Sequence, residues 1–542
     1  MSTNSHELAV STHVSGPTSS RSRDDLDLIR LGKKPELRRN FGFLAILGFS
    51  CTVLVTWEGI LVLFLLAYQN GGPSGAIYGY IVVWAGTLSI FATLSELVSM
   101  APTSGGQYYW VSMLSPPGAR KFLSYTTAWL ALTGWQSTVA SAAYLTGTLI
   151  QGLILLTHPD YINTIQNWHG TLLFWGIILF AFAINSPVGR VLARFEGIVL
   201  VIHILGFFAT ILPLVLLGQP TSSTAVWDTW LNLGGWPTQG LSFSIGVLGN
   251  AFSFLGADAA IHMSEEIRNA ALVLPRSLLT GVMLNGTLGF AMIVAFLYYI
   301  GDVEQALEEN PLYPFMAVLQ RGTNSTAGAA TISALIIVLS ASTTTGVLAA
   351  ASRMYWAFAR DRGLPAWRFL KKVDPKTGIP FNSVLVTTVI SIILALINIG
   401  EAAAFTGTIS ISISGLFASY LIASSLLLYR RLTKGIRPHR ILEEGDNEVN
   451  AQLGLRWGPW KLPGMFGVVN NMFTCFFLIY ILFFSFWPTN SAVTPQNMNW
   501  AVLVTVVVLS FSMLYYFLWA RHVFKGPIIE TSERDILGLV GK

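Results

Sequence analysis

Twelve apolar stretches dominate this 542-residue chain, and each is long enough to cross about 30 Å of hydrocarbon as a helix. Hydrophobic residues make up 53% of the chain and charged residues only 11%, whereas soluble domains are about one quarter charged. The sequence therefore predicts an all-α polytopic membrane protein with twelve transmembrane helices. Hydropathy places them near residues 42–68, 76–99, 123–156, 169–186, 196–217, 240–262, 277–300, 328–352, 383–399, 402–429, 466–487 and 499–520.

Basic residues predict the orientation of these spans. If the N-terminus is cytoplasmic, every Lys and Arg except Arg321 falls in a segment on the inner side. Such a bias is typical of membrane proteins and predicts that both termini are cytoplasmic. The same bias accounts for the formal net charge of +5, which therefore indicates no nucleic-acid partner.

The ends of the chain predict two tails around one membrane domain. Residues 1–40 are polar and rich in Ser and Thr, so we expect a disordered cytoplasmic tail and not a cleaved signal peptide. The twelve-span domain is expected to cover residues 41–522. Residues 523–542 then form a cytoplasmic C-terminal tail.

The predicted topology also bears on modification. A glycosylation sequon begins at Asn324 in an outer loop, which makes Asn324 the expected acceptor. A second sequon, at Asn285, lies inside a span and should stay unmodified. Cys51 and Cys475 both lie in spans, so no disulfide framework is expected.

Sequence motifs for catalysis and for ATP hydrolysis are not found. No P-loop, H-E-x-x-H or G-x-S-x-G motif occurs in a fitting context, and no spacing matches a zinc or iron–sulfur site. We therefore expect neither an ATP-driven pump nor a membrane enzyme, and neither a cofactor nor a metal.

Two spans interrupt their own helical pattern. The first span contains polar and small residues over 47–52 and then an acid, Glu58; the sixth contains Gly256 and Asp258. A charge at membrane depth costs about several kcal/mol unless it faces a partner or a polar cavity. The two spans are five apart and so enter the membrane from opposite sides, as an inverted repeat of broken helices requires. Close helix packing would explain the small residues but not the acids.

Motifs at three places then resemble one family. Residues 102–110 resemble the P-x-S-G-G motif of the amino acid–polyamine–organocation (APC) superfamily, and residues 256–266 are similar to the sixth span of its fungal amino acid/choline transporter branch. That branch includes GABA and choline permeases. Residues 352–365 are similar to the family's eighth span and the loop after it, and the resemblance covers about residues 40–520.

The resemblance implies a LeuT-type fold and a transport function. Two inverted five-helix repeats would cover about residues 42–217 and 240–429, with two extra spans over 466–520. It implies a secondary active transporter in the plasma membrane that imports a small amino acid or amine, such as choline or GABA, by alternating access. The alternative is a transporter-like nutrient sensor that binds an amino acid without moving it; the short termini favour transport.

In such a fold the substrate lies beside the two interruptions. Amino acid permeases of the superfamily carry a glycine-rich run at the first of them, but here only Gly48 is nearby. The acids and aromatic residues instead indicate a cationic head group. Two alternatives stay open: Asp258 could accept backbone N–H bonds that hold its helix break together, and Glu58 could pair with another polar group. The predicted substrate-binding residues are Ser50, Cys51, Thr52, Trp57, Glu58, Phe254, Gly256 and Asp258.

His203 on the fifth span is the predicted proton-coupling residue, with protons as the coupling ion. Related sodium-independent transporters carry a lysine at about this position, and imidazole titrates near neutral pH. The alternative is a buried neutral His bonded to a carbonyl. On the eighth span, Ser342 and Thr345 are further candidates, although such hydroxyls often bond to their own helix.

Overall fold

The computed structural model describes residues 23–186, 192–400, 402–439, 455–495 and 497–530, and these form helices joined by loops. Its first helices are α1 (Arg23–Arg30), α2 (Phe43–Leu54), α3 (Thr56–Met100), α4 (Gln107–Leu114), α5 (Arg120–Thr157), α6 (Asn167–Asn185), α7 (Leu192–Leu217), α8 (Ser223–Trp227), α9 (Gln239–Ser253) and α10 (Ala259–His262). They are followed by α11 (Ala270–Tyr298), α12 (Val303–Glu309), α13 (Pro314–Thr323), α14 (Thr326–Arg360), α15 (Trp367–Leu370), α16 (Phe381–Ala395), α17 (Ile397–Gly400), α18 (Ala402–Leu432), α19 (Gly464–Phe484), α20 (Ala501–Tyr515) and α21 (Arg521–Val523).

Ten helical stretches of the described residues are long and apolar enough to cross a membrane. One of them, Phe43–Met100, covers both the first and the second predicted span. The sixth predicted span, 240–262, is divided between α9 and α10, neither of which is long enough by itself. The prediction of an all-α polytopic membrane protein is confirmed. The count of twelve and the inverted repeat stay predictions.

Gly72 separates the first two predicted spans within α3. Its backbone has φ 68° and ψ −169°, outside the helical region, and Pro73 follows it. A Cβ atom here would lie 2.8 Å from both the Leu231 nitrogen and the Thr229 oxygen. Only glycine fits this turn, because both its conformation and its close neighbours exclude a side chain.

The packing of the helices leaves a buried centre and an apolar rim. α3 packs along α9 and α11, while α5 packs along α14 and α18. In contrast, α7, α19 and α20 expose large apolar side chains, including Leu205, Phe476 and Val507. An apolar outer surface suits hydrocarbon, so these helices form the lipid-facing rim around the central ones.

The N-terminal segment differs from the sequence prediction. Residues 23–40 were predicted to be disordered, but α1 forms and Leu28 and Lys33 are buried. The Asp24 carboxylate accepts hydrogen bonds from the backbone N–H groups of Asn269 and Ala270, which anchors the segment to the start of α11. Sequence composition missed these contacts because they come from a distant part of the chain. Residues 1–22 lie outside the described part.

Candidate functional site

Both interrupted spans break at a residue with a left-handed backbone. α2 ends at Leu54, Val55 has φ 42° and ψ 42°, and α3 begins at Thr56. A β-branched residue rarely adopts this conformation, so Val55 is strained. The second interruption, between α9 and α10, contains Gly256 with φ 101°.

The first interruption comes later than predicted. The polar run at residues 47–52 is helical, and the break is at Val55. The Ser50 hydroxyl explains part of this difference, because it donates to the Ile46 carbonyl of its own helix at 2.9 Å. Such a bond satisfies the hydroxyl without interrupting the helix.

Val53 joins the two interruptions to α14. A Cβ atom added at Gly256 would lie 3.0 Å from one Val53 methyl carbon, and one added at Gly346 would lie 2.6 Å from the other. The Val53 side chain of α2 is therefore packed between the backbone at Gly256 and the backbone of α14 at Gly346.

A cavity lies beside these breaks, between α2, α3, α5, α9 and α14. About 600 Å³ of space in and around it is free of protein atoms, open solvent included. Its surface is mostly apolar with several hydroxyls, and no Asp, Glu, Lys, Arg or His belongs to its described lining. The lining residues are Val53, Leu54, Val55, Gly59, Val62, Leu63, Thr138, Ala142, Leu145, Thr146, Leu149, Phe252, Ser253, Leu255, Ser340, Thr343 and Val347.

Asp258, at the start of α10, is fully buried outside this lining. Its Oδ2 accepts a hydrogen bond from Gln107 Nε2 at 2.9 Å. Its Oδ1 has no hydrogen-bond partner among the described residues, although Tyr420 is a close neighbour. The side chain caps no N–H group of α10, so it does not hold the break together in that way.

His262 lies one helical turn after Asp258, and its hydrogen bonds fix its protonation. Trp135 Nε1 donates to His262 Nε2 at 2.9 Å, and an indole N–H can only donate. Nε2 is therefore an acceptor, and the ring proton is on Nδ1, which donates to the Ser104 carbonyl at 2.9 Å. The imidazole is neutral, so the 3.7 Å approach of Nε2 to Asp258 is not an ion pair.

Glu58 and His203 form a buried pair behind the cavity. His203 Nδ1 lies 2.6 Å from Glu58 Oε1, and both side chains are about 1% exposed. The outer atoms of the pair, Glu58 Oε2 and His203 Nε2, have no hydrogen-bond partner in the described part of the chain. The indole of Trp57 packs on the imidazole at 5.9 Å between ring centroids. Glu58 thus has a polar partner, which is one of the alternatives that the sequence left open. His203 bonds to this carboxylate and, within the described residues, to no carbonyl.

Glu196 is a buried acid that the site predictions missed. The Thr52 hydroxyl donates to Glu196 Oε2 at 2.5 Å, while Oε1 has no partner within the described ranges. Thr343 donates to the Thr52 carbonyl at 2.7 Å, so α7, α2 and α14 meet here. Glu196 therefore contacts the last turn of α2, before the break at Val55, whereas His203 contacts Glu58 after it. A buried carboxylate at membrane depth was the available sequence signal.

The remaining candidates have ordinary structural contacts. Phe254 packs on Tyr80 with ring centroids 5.1 Å apart, and Cys51 faces Gly281. Ser342 and Thr345 donate to the carbonyls four residues earlier in α14, as the alternative reading of this hydroxyl-rich face expects. Their roles in binding stay predictions.

The predicted glycosylation sequon lies at a turn between two helices. Asn324 is exposed and ends α13, and Ser325 begins α14 by accepting a hydrogen bond from the Gly328 N–H. Asn285, in contrast, is buried within α11.

Comparison with known proteins identifies the family. The sequence profile of the amino acid permease family matches residues 41–508. The chain belongs to the amino acid permease family. This confirms the resemblance to the APC superfamily, and it makes the protein a multi-pass membrane transporter and not an enzyme.

The permease is similar to fungal transporters along nearly its whole length. It is 29% identical over 457 residues, 84% of this chain and 96% of the relative, to a Macrophomina phaseolina protein named as an amino acid/polyamine transporter. It is 28% identical over 518 residues to a choline transporter of Saccharomyces cerevisiae, covering 94% of this chain and 87% of that protein. A transmembrane transporter of Metarhizium robertsii is 26% identical over 490 residues, 90% of this chain and 93% of its own.

Proposed function

We propose that the permease is a secondary active transporter that imports a small amino acid or amine, such as choline or GABA, together with protons. The observation that carries this proposal is the cavity beside the breaks at Val55 and Gly256. Interrupted helices expose backbone groups that a substrate can satisfy, which is why transporter sites are found at such breaks. The names of the amino acid/polyamine and choline transporter relatives support the substrate class.

The breaks also offer a way for the site to change its access. Val55 is strained, so a movement between α2 and the first part of α3 can relieve a local cost of about 1–3 kcal/mol. The same two helix segments line the cavity. Substrate bound between them is therefore in a position to favour one arrangement over another, as alternating access requires.

The Glu58–His203 pair is the proposed proton carrier. When the pair holds one proton in addition to the N–H of neutral imidazole, it has no net charge. Without that additional proton it carries one negative charge. Burial strongly disfavours the charged form, so the pair should hold its proton while enclosed and release it when water reaches it. Because His203 Nδ1 and Glu58 Oε1 lie 2.6 Å apart, the proton is assigned to the pair and not to either residue alone.

Glu196 is a second candidate for the proton, because its Oε1 is buried without a partner in the described structure. The two candidates are separable by matched substitutions on one helix, His203→Gln and Glu196→Gln. Both remove a titratable group and keep a polar side chain of similar size.

Uptake of labelled amino acids and amines by permease-deficient cells tests the proposal. We expect accumulation by the wild type that rises as external pH falls and collapses with a protonophore. His203→Gln should abolish accumulation while exchange of substrate across the membrane persists; if Glu196→Gln has that effect instead, Glu196 is the carrier. Uptake that ignores both pH and protonophore contradicts proton coupling. Ligand binding without any uptake favours the nutrient sensor.

A further inference from the structure

Three basic side chains lie around one tryptophan in the segment between α14 and α16. The guanidinium carbons of Arg362 and Arg368 are 5.2 and 5.3 Å from the centroid of the Trp367 ring. Lys371 Nζ lies 5.1 Å from the same ring. We propose that this basic cluster, Arg362, Arg368 and Lys371, binds the head group of an anionic phospholipid in the adjacent membrane leaflet. Such a lipid site goes beyond the proposed transport function.

Acids of the protein leave the basic cluster without a counter-charge. Within the described residues, its three side chains make no hydrogen bond and no ion pair. The two acids that flank it in the chain have other partners, since Asp361 pairs with Lys33 and Asp374 accepts a hydrogen bond from Thr377. Glu36 interacts electrostatically with the lysine of the cluster but forms no ion pair with it. Like charges this close repel one another, so the cluster favours an anion.

The backbone that carries the cluster is strained at two positions. Arg362 has φ 63° and Ala366 has φ 52°, in the left-handed region that residues other than glycine rarely adopt. The Arg362 and Gly363 N–H groups donate to carbonyls of the last turns of α14, a helix end at which glycine usually occupies the place of Arg362. Strained residues are concentrated at ligand sites, where function retains them against their cost.

Hydrogen bonds hold α15 against the start of the next membrane span. Asn382 Nδ2 donates to the Phe369 carbonyl at 2.8 Å, and the Ser383 hydroxyl donates to the Leu370 carbonyl at 3.0 Å. Both donors lie in the first turn of α16, within the apolar stretch Phe381–Ile399 that is long enough to cross a membrane. The cluster is therefore fixed at the end of a span, where the phosphates of a bilayer lie.

Exposed aromatic rings beside the cluster favour a lipid over a soluble anion. Phe369 is 44% exposed and Phe381 is 41% exposed. In a membrane these rings can contact acyl chains while the cations reach the head group, as aromatic and basic residues do at membrane interfaces. Lys372, also exposed, adds a fourth cation next to the cluster. Because several cations converge, a head group with more than one phosphate, as in a phosphoinositide, fits best.

Lipid binding by the full-length protein in detergent tests the site. Native mass spectrometry should show binding of dioctanoyl phosphatidylinositol 4-phosphate, and absence of binding overturns the proposal. The double variant Arg368→Gln/Lys371→Gln should bind it about 25-fold more weakly, since each cation beside anionic lipid contributes about fivefold. Arg276→Gln/Lys434→Gln removes two exposed cations outside the cluster and should bind like the wild type. An equal loss in both double variants overturns the proposal, because general charge would then explain it.

Two other ligands separate the possible sources of the phosphate. Dioctanoyl phosphatidylcholine has the acyl chains but no net charge, and soluble inositol 1,4-bisphosphate has the charge but no chains. Each should bind at least about tenfold more weakly than the phosphoinositide, because each lacks one of the two contacts. Binding of either ligand as tight as that of the phosphoinositide overturns the assignment to an anionic phospholipid.

The tryptophan provides a test that leaves every cation in place. Trp367→Ala should weaken phosphoinositide binding, because the indole that holds the three cations together is lost. Monodisperse elution and an unchanged unfolding temperature show that the variant is folded. Wild-type affinity in the folded variant contradicts the role of the ring, and wild-type affinity in Arg368→Gln/Lys371→Gln as well overturns the site.

Discussion

Lys33 and Asp361, 328 positions apart in the chain, form a fully buried ion pair with 2.5 Å between Nζ and Oδ1. The same carboxylate accepts hydrogen bonds from the Tyr108 hydroxyl at 2.8 Å and from the Ile528 N–H at 2.9 Å. The two terminal segments also bond to each other, since the Glu530 N–H donates to the Gly32 carbonyl at 2.7 Å. Asp361 therefore links the segments that contain Lys33 and Ile528 to the end of α14.

Substitution of Lys33 by Met should destabilise this end of the molecule. Removing one partner of a buried ion pair leaves an uncompensated charge, at a cost of about 3–5 kcal/mol. We expect a clear fall in the unfolding temperature of the detergent-solubilised protein. Lys34→Met is the matched control, because the Lys34 side chain is exposed. Equal unfolding temperatures for the two variants would show that the pair contributes little.

Phe524 should be the main apolar anchor of the C-terminal segment. Its ring is completely buried and packs on Tyr125 at 5.5 Å and on Phe358 at 5.7 Å between centroids. Phe524→Ala should cost about 3–5 kcal/mol and expose the segment to protease. Phe517→Ala, at a position that is 54% exposed, serves as control. Comparable protease resistance in both would rule out this anchoring role.

Gly346 and Val53 should be energetically coupled. A methyl group at Gly346 would approach a Val53 methyl carbon to 2.6 Å, so Gly346→Ala should reduce stability by about 1–3 kcal/mol and impair uptake. Val53→Ala removes the clash, and the double variant should regain much of the lost stability. A double-mutant cycle on unfolding temperatures and uptake measures this coupling. Strict additivity of the two effects would refute the contact.

Trp135 should keep His262 neutral. Trp135→Phe removes the indole N–H, which frees Nε2 to take a proton and pair with Asp258 3.7 Å away. Since imidazole charges as pH falls, the variant should lose uptake at pH 5–6 relative to pH 7–8, whereas uptake by the wild type should rise over the same range as pH falls. The pH profile of uptake is the measurement, with Trp168→Phe at an exposed site as control. Identical profiles in all three proteins would show that the hydrogen bond does not control the charge.

Local sequence patterns predicted most of the secondary structure and part of the site. Hydropathy is a property of each segment alone, so the membrane class and most helix positions followed from it. The interruption around Gly256 and Asp258 was predicted for the same reason, because a glycine and an acid are visible against an apolar background. Val55 was not, since nothing in its immediate sequence requires a left-handed backbone at a β-branched residue.

The sequence by itself determined that this protein is a helical membrane transporter with buried acids at two interrupted spans. Only the tertiary structure decided the partner of each acid. Glu58 meets His203 across 145 positions, and Asp258 meets Gln107 across 151. The free energy of a buried charge depends on atoms a few ångströms away, and these become neighbours only when distant helices pack.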